Sequence, residues 1–421
     1  MKKFISLLLV CLMVVPFGML AGVNAFAAND KVIYVKDGGT GDGTTAEKAV
    51  GTLADAYAAA GNNNATIVVA GEITLSLETA FQEPTHAGKI TITGKYGTLT
   101  GGKINVKSYN NNHWILGGAL EFNNVNIALT ADTAVQTFLI RAHFNPLTIG
   151  ENVTTPAKTY VVGGIQGVTD EATYDAATKS FSGDVNLTLL SGTYIDVAGY
   201  ARSTNFTTEA AKNGCVFNGE CNITIGGTAV AESIGILRSS GGCTTGDVNV
   251  YLDGGTVKNF VSHNNASGVA GVKPGAKMTV VITDNFNIAT SLTKPVAADF
   301  NYGICASSLT VSKTAANVED AQYGEYYLKI EAGVYDAVIA SGKVITAGFE
   351  ANGITKIASG TGLPTVDNNQ GGNDNQGGND NQGGNQGGNP DTGDFTTVAI
   401  ATVAMISLAG AVVVVAKKRK N

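Results

Sequence analysis

Apolar and polar residues alternate with a period of two through most of the chain. In GDVNLTLLSGTYIDVAG, from Gly183 to Gly199, Val185, Leu187 and Leu189 share one face while Asn186 and Thr188 share the other. In GDVNVYLDGGTVKNFV, from Gly246 to Val261, Val248, Val250 and Leu252 oppose Asn249 and Tyr251. Such alternation predicts strands with one buried and one polar face. ECNITIGGTAVAESIGI, from Glu220 to Ile236, repeats the unit of strand, Gly-rich turn and strand, and EYYLKIEAGVYDAVIASG, from Glu325 to Gly342, is a weaker copy. The Gly-Thr pairs at Gly192, Gly227 and Gly255 lie 35 and 28 residues apart, in the range of solenoids and arrays. Further short strands are predicted at Thr66–Val69, Lys89–Thr93, Gly102–Val106, Leu120–Ile127 and Leu147–Ile149. Helical periodicity enters only near the start, where a strand at Val32–Val35 and a Gly-rich loop lead into one amphipathic helix from about Lys48 to Ala60.

That opening, VIYVKDGGTGDGTTAEKAVGTLADAYAAAG, resembles the beginning of pectate-lyase-like right-handed parallel β-helices. In those proteins a helix caps a first coil whose core and strand edge would otherwise be exposed. With the repeats, the resemblance implies an all-β ectodomain over residues 28–365: a right-handed parallel β-helix or related β-solenoid with a short N-terminal capping helix. About ten coils stacked ~4.8 Å apart would extend on the order of 50 Å. A β-sandwich array is the alternative, weakened by the lack of regularly spaced Asn-Gly hairpin turns.

The two ends carry different signals. Lys2 and Lys3, an apolar run from Phe4 to Leu20 and the pattern Ala25-Phe26-Ala27 read as a secretory signal over residues 1–27. Residues 366–388 form a Gly/Asn/Gln tract that has nothing to bury and should be a flexible coil. Asn389, Pro390, Asp391, Thr392 and Gly393 follow, then the uncharged stretch Thr396 to Ala416 and the basic tail 417–421. The apolar stretch is long enough to cross a bilayer as a helix, with cations that hold the tail inside. This order resembles the sorting signal of Gram-positive surface proteins, which sortases join to peptidoglycan. The resemblance implies cleavage between Thr392 and Gly393, covalent attachment to the wall, and sortase and peptidoglycan as partners. Asn389 stands where the family's commonest pattern has Leu, leaving the sortase class open. A retained single-pass anchor, with Asn389–Gly393 as a mere turn, is the alternative.

Without the signal and the segment after Thr392, 21 basic and 33 acidic residues remain, a charge near −12. That balance argues against nucleic-acid binding. Arg141, Arg202 and Arg238 are the only arginines left, too few for a phosphate-binding cluster. Cys215, Cys221, Cys243 and Cys305 remain and form no C-x-x-C pair, so neither a disulfide scaffold nor a zinc site is expected. Cys221 aligns with Val185 and Val248 as a buried small hydrophobe. Cys215 and Cys243 precede consecutive strands by similar distances, and a disulfide between them is the expectation.

Catalytic strings are missing. Polygalacturonase-like members of the resembled fold carry adjacent aspartates, Gly-His-Gly and Arg-x-Lys, and the chain has none of these. His86, His113, His143 and His263 read as loop or turn residues rather than ligands or bases. Asp184, Glu220 and Asp247 recur just before strands, where turn formation competes with a calcium site or carboxylate row. Arg202 and Arg238 read as surface salt-bridge residues, with acidic sugars the other option. Asn186, Asn222 and Asn249 share one repeat position and predict a stacked amide ladder, with glycan contact the competing use. Trp114, Tyr194, Tyr200 and Tyr251 are the aromatic candidates for stacking on sugar rings, with Tyr326 and Tyr327 beyond them. The resulting expectation is a monomeric, cofactor-free surface protein that binds an extracellular glycan or protein. A wall-anchored polysaccharide lyase or glycoside hydrolase and a structural wall component are the alternatives.

Overall fold

A computed structural model of the chain describes residues 31–77, 80–108, 112–130, 137–166, 174–202, 213–238, 242–264, 271–293, 324–343 and 354–357. The chain divides into two compact units, Met1–Ser359 and Gly360–Asn421. The second lies outside the described residues, as do the predicted signal, linker, Asn389–Gly393 motif and apolar segment. Among the described residues no helix is long and apolar enough to cross a membrane.

The first unit is an all-β fold of parallel sheets. The long sheet orders its strands as Lys31–Val35, Ala65–Val69, Ile90–Thr93, Leu120–Asn123, Leu147–Ile149, Val185–Leu189, Cys221–Ala231, Val248–Val257, Lys277–Ile282, Glu325–Glu331 and Ile354–Ile357. Thr193–Tyr194 pairs onto Cys221–Ala231 off this path. A seven-stranded sheet runs from Phe81–Gln82 through Asn112–Ile115, Phe138–Arg141, Thr159–Val162, Asp196–Arg202 and Ile234–Arg238 to Phe260–Asn264. Sheets of five and three strands complete the set. The chain leaves the long sheet, contributes strands to the others and returns beside its previous position, so each circuit stacks on the last. Among the named strand pairs described, only Tyr174–Asp175 with Ser180–Ser182 is antiparallel. Antiparallel sheets would be needed for the sandwich array.

Parallel pairing in register turns the two-residue alternation into columns. Ala65, Ile90, Leu120, Leu147, Leu187, Ile223, Val250, Val280 and Leu328 are Cα partners in succession and all are buried. Two positions on, Ile67, Ile92, Phe122, Ile149, Leu189, Ile225, Leu252, Ile282 and Ile330 form a second buried column. The seven-stranded sheet supplies Phe81, Trp114, Ile140, Val161, Val197, Ile234 and Phe260 in the same manner. The two sheets meet where the Trp114 and Phe122 rings cross edge to face, 5.2 Å between centroids. Glycine is demanded where circuits touch: a Cβ on Gly164 would lie 2.2 Å from the Tyr200 carbonyl oxygen.

Three elements differ from the sequence expectation. The capping helix is Leu53–Ala60, shorter than the predicted span. Val50 bridges Val35, with its N–H donating to the Tyr34 carbonyl, so the backbone before Thr52 is committed to the first strand. Thr52 then caps the helix, accepting from the Asp55 N–H. The span Leu120–Ile127 splits at Asn124, whose φ of 48° turns the chain between Leu120–Asn123 and Asn126–Thr130. The Glu325 copy ends in a helix, Tyr335–Ala340, because Val334 and Val338 are spaced to share one face against the core.

Ile223→Ala should lower stability by about 2–5 kcal/mol, whereas Thr224→Ala on the outward face should change it by less than about 0.5 kcal/mol. Urea denaturation of the two variants checks this, and equal losses would contradict the inward and outward assignment.

Candidate functional site

The aromatic residues proposed to face glycans do not do so. Trp114, Tyr194 and Tyr200 are fully buried and Tyr251 is 7% exposed. Trp114 stands in an inward column and donates Nε1–H to Glu83 Oε1 at 2.5 Å. The Tyr194 hydroxyl donates to the Ser191 carbonyl and that of Tyr200 to the Gly219 carbonyl, at 2.5 and 2.8 Å. Burial drives both phenols well above the ordinary tyrosine range. Tyr251 occupies an outward position between Thr224 and Val281 in register, which leave little of it accessible. Tyr327 is half-buried and donates its hydroxyl to Glu325.

The repeat positions resolve into ladders. Asn222 Nδ2 donates to Asn186 Oδ1 at 3.1 Å, and Asn249 Nδ2 to Asn222 Oδ1 at 3.0 Å and Glu220 Oε1 at 2.6 Å. These amides hold neighbouring circuits together. Asp184 accepts the Glu220 N–H and Asp247 accepts the Lys277 N–H, each at 2.8 Å, so carboxylates fasten the start of the next strand. Among the described residues no group of three or more His, Cys, Asp or Glu side chains is arranged to hold a metal ion. Cys221 is a buried free thiol whose pKa burial pushes upward. Cys215 and Cys243 lie on adjacent parallel strands, Asn213–Asn218 and Gly242–Thr245, within an irregular stretch of their register. Their side chains fall outside the described residues.

A polar groove of about 710 Å³ opens at the Gly-rich corner after the long sheet. It takes Glu151 and Asn152 from one circuit, Leu190 from the next, Gly227–Ala229 from a third, Asp253–Thr256 from a fourth, and Asn285, Asn287 and Thr290 beyond. Gly227 lies at φ 54° with its absent Cβ 2.3 Å from the Leu190 carbonyl oxygen, so the corner closes only with glycine there. Sequence reasoning missed this site because its residues come from turns in five circuits. The Gly-Thr markers at Gly227 and Gly255 were the only signal.

A second cluster lies on the outward face of the seven-stranded sheet. Arg141 is buried and donates Nη1–H to His113 Nδ1 at 3.3 Å, which places the neutral ring's proton on Nε2. Buried Asp196 pairs with Arg202 at 3.2 Å, and the Arg202 guanidinium lies 4.0 Å over the Tyr160 ring. Leu139, Val162 and Ala198 form a small apolar patch among them. His143 and Phe144 follow with φ of 53° and 65°, a costly conformation for bulky residues. Arg238 is in register with Arg202 and His263 with Leu237. Arg141, Arg202 and Arg238 and three of the four histidines therefore lie on or just after strands of one sheet, though the sequence left them scattered.

His86 is the exception and has a partner. Its Nδ1 lies 2.7 Å from the Gly88 carbonyl oxygen and its Nε2 lies 3.5 Å from Glu83 Oε2. Glu83, itself buried, also accepts from Tyr57 of the capping helix at 2.5 Å, from Trp114, and from the Gly117 N–H at 3.0 Å. One carboxylate thus ties the cap to two later circuits. Comparison with protein-family models, with curated proteins and with solved structures returned no match.

Desolvation lowers the His86 pKa, but its bonds to Glu83 and Gly88 and the Glu83 charge outweigh that and raise it above 6.5. The protonated ring therefore favours the fold at pH below 6.5, and the contribution is lost as pH rises through the folded value. Urea midpoints across this range should fall with rising pH in the native chain and much less in His86→Gln. Identical pH profiles would contradict the assignment.

Proposed function

We propose that the described unit is a right-handed parallel β-helix and that the protein is an exported, sortase-anchored surface module binding an extracellular glycan or protein. The single observation that carries the binding half is the groove at the Gly-rich corner. It is built from five successive circuits of a close-packed body and offers polar groups along its length. The location half rests on the order of secretory signal, flexible spacer, Asn389–Gly393, apolar segment and basic tail. In this reading the precursor spans the plasma membrane through residues 396–416, sortase cuts after Thr392, and the mature protein is held on peptidoglycan. A Cys215–Cys243 bridge would fasten two neighbouring circuits of the displayed body, and the protein works as a monomer without a resident cofactor.

A second reading, a polysaccharide lyase or hydrolase, is favoured by the pairing of buried Arg141 with half-buried His113 beside the strained His143–Phe144 turn. Release of oligosaccharides from a polysaccharide, abolished by His113→Ala, would put that reading first.

Muramidase should release the native protein with wall fragments attached, while Thr392→Ala stays in the membrane fraction. Wall fragments on the variant would overturn the anchoring. A deletion strain should lose adhesion to surfaces coated with glycan or protein, and unchanged adhesion would instead favour a structural wall component.

A further inference from the structure

Resting on the ligand-display reading above, we infer that the groove takes a neutral, hydroxyl-rich glycan chain lying along the stack, and that it rejects uronates and sulfated sugars. The lining decides the charge. Among the described residues, Glu151 and Asp253 are the ionisable members of its lining, which includes no Lys, Arg or His. Lys343 reaches the neighbouring loop but donates its ammonium to the carbonyls of Ile288, Ala289 and Ser291. An anionic sugar would meet two carboxylates and no counter-charge, an arrangement that suppresses wrong partners.

The free valences favour sugar hydroxyls. Asp253 Oδ1 accepts from Thr283 Oγ1 at 2.7 Å and from Asn285 Nδ2 at 2.8 Å. Its second oxygen has no partner among the described residues. Asn287 uses Oδ1 to cap the Ala289 and Thr290 N–H groups, and its amide N–H groups have no partner among the described residues. Asn152 donates to Asn124, and its side-chain oxygen has no partner among the described residues. The exposed side chains of Glu151 and Thr228 make no hydrogen bond to other described residues. The groove thus offers mainly acceptors, with donors from Thr228 and Asn287, and sugar hydroxyls, each both donor and acceptor, can meet either kind. A carboxylate oxygen accepts from such hydroxyls with the strength of a charge-assisted bond.

The repeat favours a chain rather than a single sugar. Successive circuits lie ~4.8 Å apart, close to the advance of one unit in an extended pyranose chain. The left-handed glycines Gly227, Gly254 and Gly255 keep side chains from blocking the floor between circuits. Among the described residues the lining has Leu190 and Ala229 but no aromatic ring. Recognition here therefore works through hydrogen bonds and shape instead of ring stacking.

Titration calorimetry of the full chain in a chelator-containing buffer, with cellohexaose, xylohexaose, mannohexaose and hexagalacturonate as probes, tests the inference. At least one neutral probe should bind, and Glu151→Ala and Thr228→Ala should each weaken it about tenfold. Lys329→Ala, on the outward face of the long sheet, should leave binding unchanged. Hexagalacturonate binding that those two groove variants weaken would overturn the neutral preference while leaving the groove as a ligand site. Neutral binding indifferent to both groove variants, or no binding of any probe, would overturn the proposed site. Wall anchoring and adhesion, measured on cells, stand or fall separately.

Discussion

Everything in the described unit depends on parallel strands of successive circuits pairing in register. Backbone N–H and C=O groups of paired strands bond to the circuits on either side, and side chains at partnered positions are set above one another. Alike residues must therefore tolerate close contact along a column. Inward columns solve this with aliphatic and aromatic side chains, and one outward column with amides that bond to one another. The Asn186, Asn222 and Asn249 ladder is the clearest outward case, and Cys221 is the inward case in which a thiol substitutes for valine. Where circuits turn, the same closeness demands glycine, as at Gly164 and Gly227.

Among the described residues, Lys31–Val35 is the end strand of the long sheet. The helix Leu53–Ala60 packs beside it, with Leu53, Ala56, Tyr57 and Ala60 buried. Tyr57 then anchors the helix to buried Glu83, and through it to Trp114, Gly117 and His86. A buried carboxylate is tolerable only when its lone pairs are filled. Here four groups from separate parts of the chain fill them, so the network fastens the cap while satisfying the charge.

Strand faces were legible because period two survives in single sequences, and the ladder and the buried thiol were legible because the repeats align. Aromatic placement was not. Trp114, Tyr194 and Tyr200 each carry one polar atom that finds a partner inside, and residue type alone gave no sign of it. The helix start was overrun because Val50 belongs to a backbone bridge with Val35, a contact made in three dimensions. Glu83 and His86 lay only three residues apart, yet the pair acquires meaning from Tyr57 and Trp114 arriving from elsewhere. The groove and the Arg141–His113 cluster were hidden for the same reason, since each gathers single residues from separate circuits.

A stacked body with polar corners is a scaffold whose turns can vary without disturbing its core. The proposed groove sits on such turns, while the columns beneath it carry the fold, so ligand chemistry and stability draw on different residues. This division holds only if the register is as described. Its most direct test is oxidative cross-linking of paired cysteines introduced on the outward face of a variant whose native cysteines are replaced. Asn186→Cys with Asn222→Cys, which are Cα partners, should form a disulfide readily, whereas Asn186→Cys with Thr224→Cys should not. Efficient cross-linking of the offset pair, with little of the aligned one, would contradict the account.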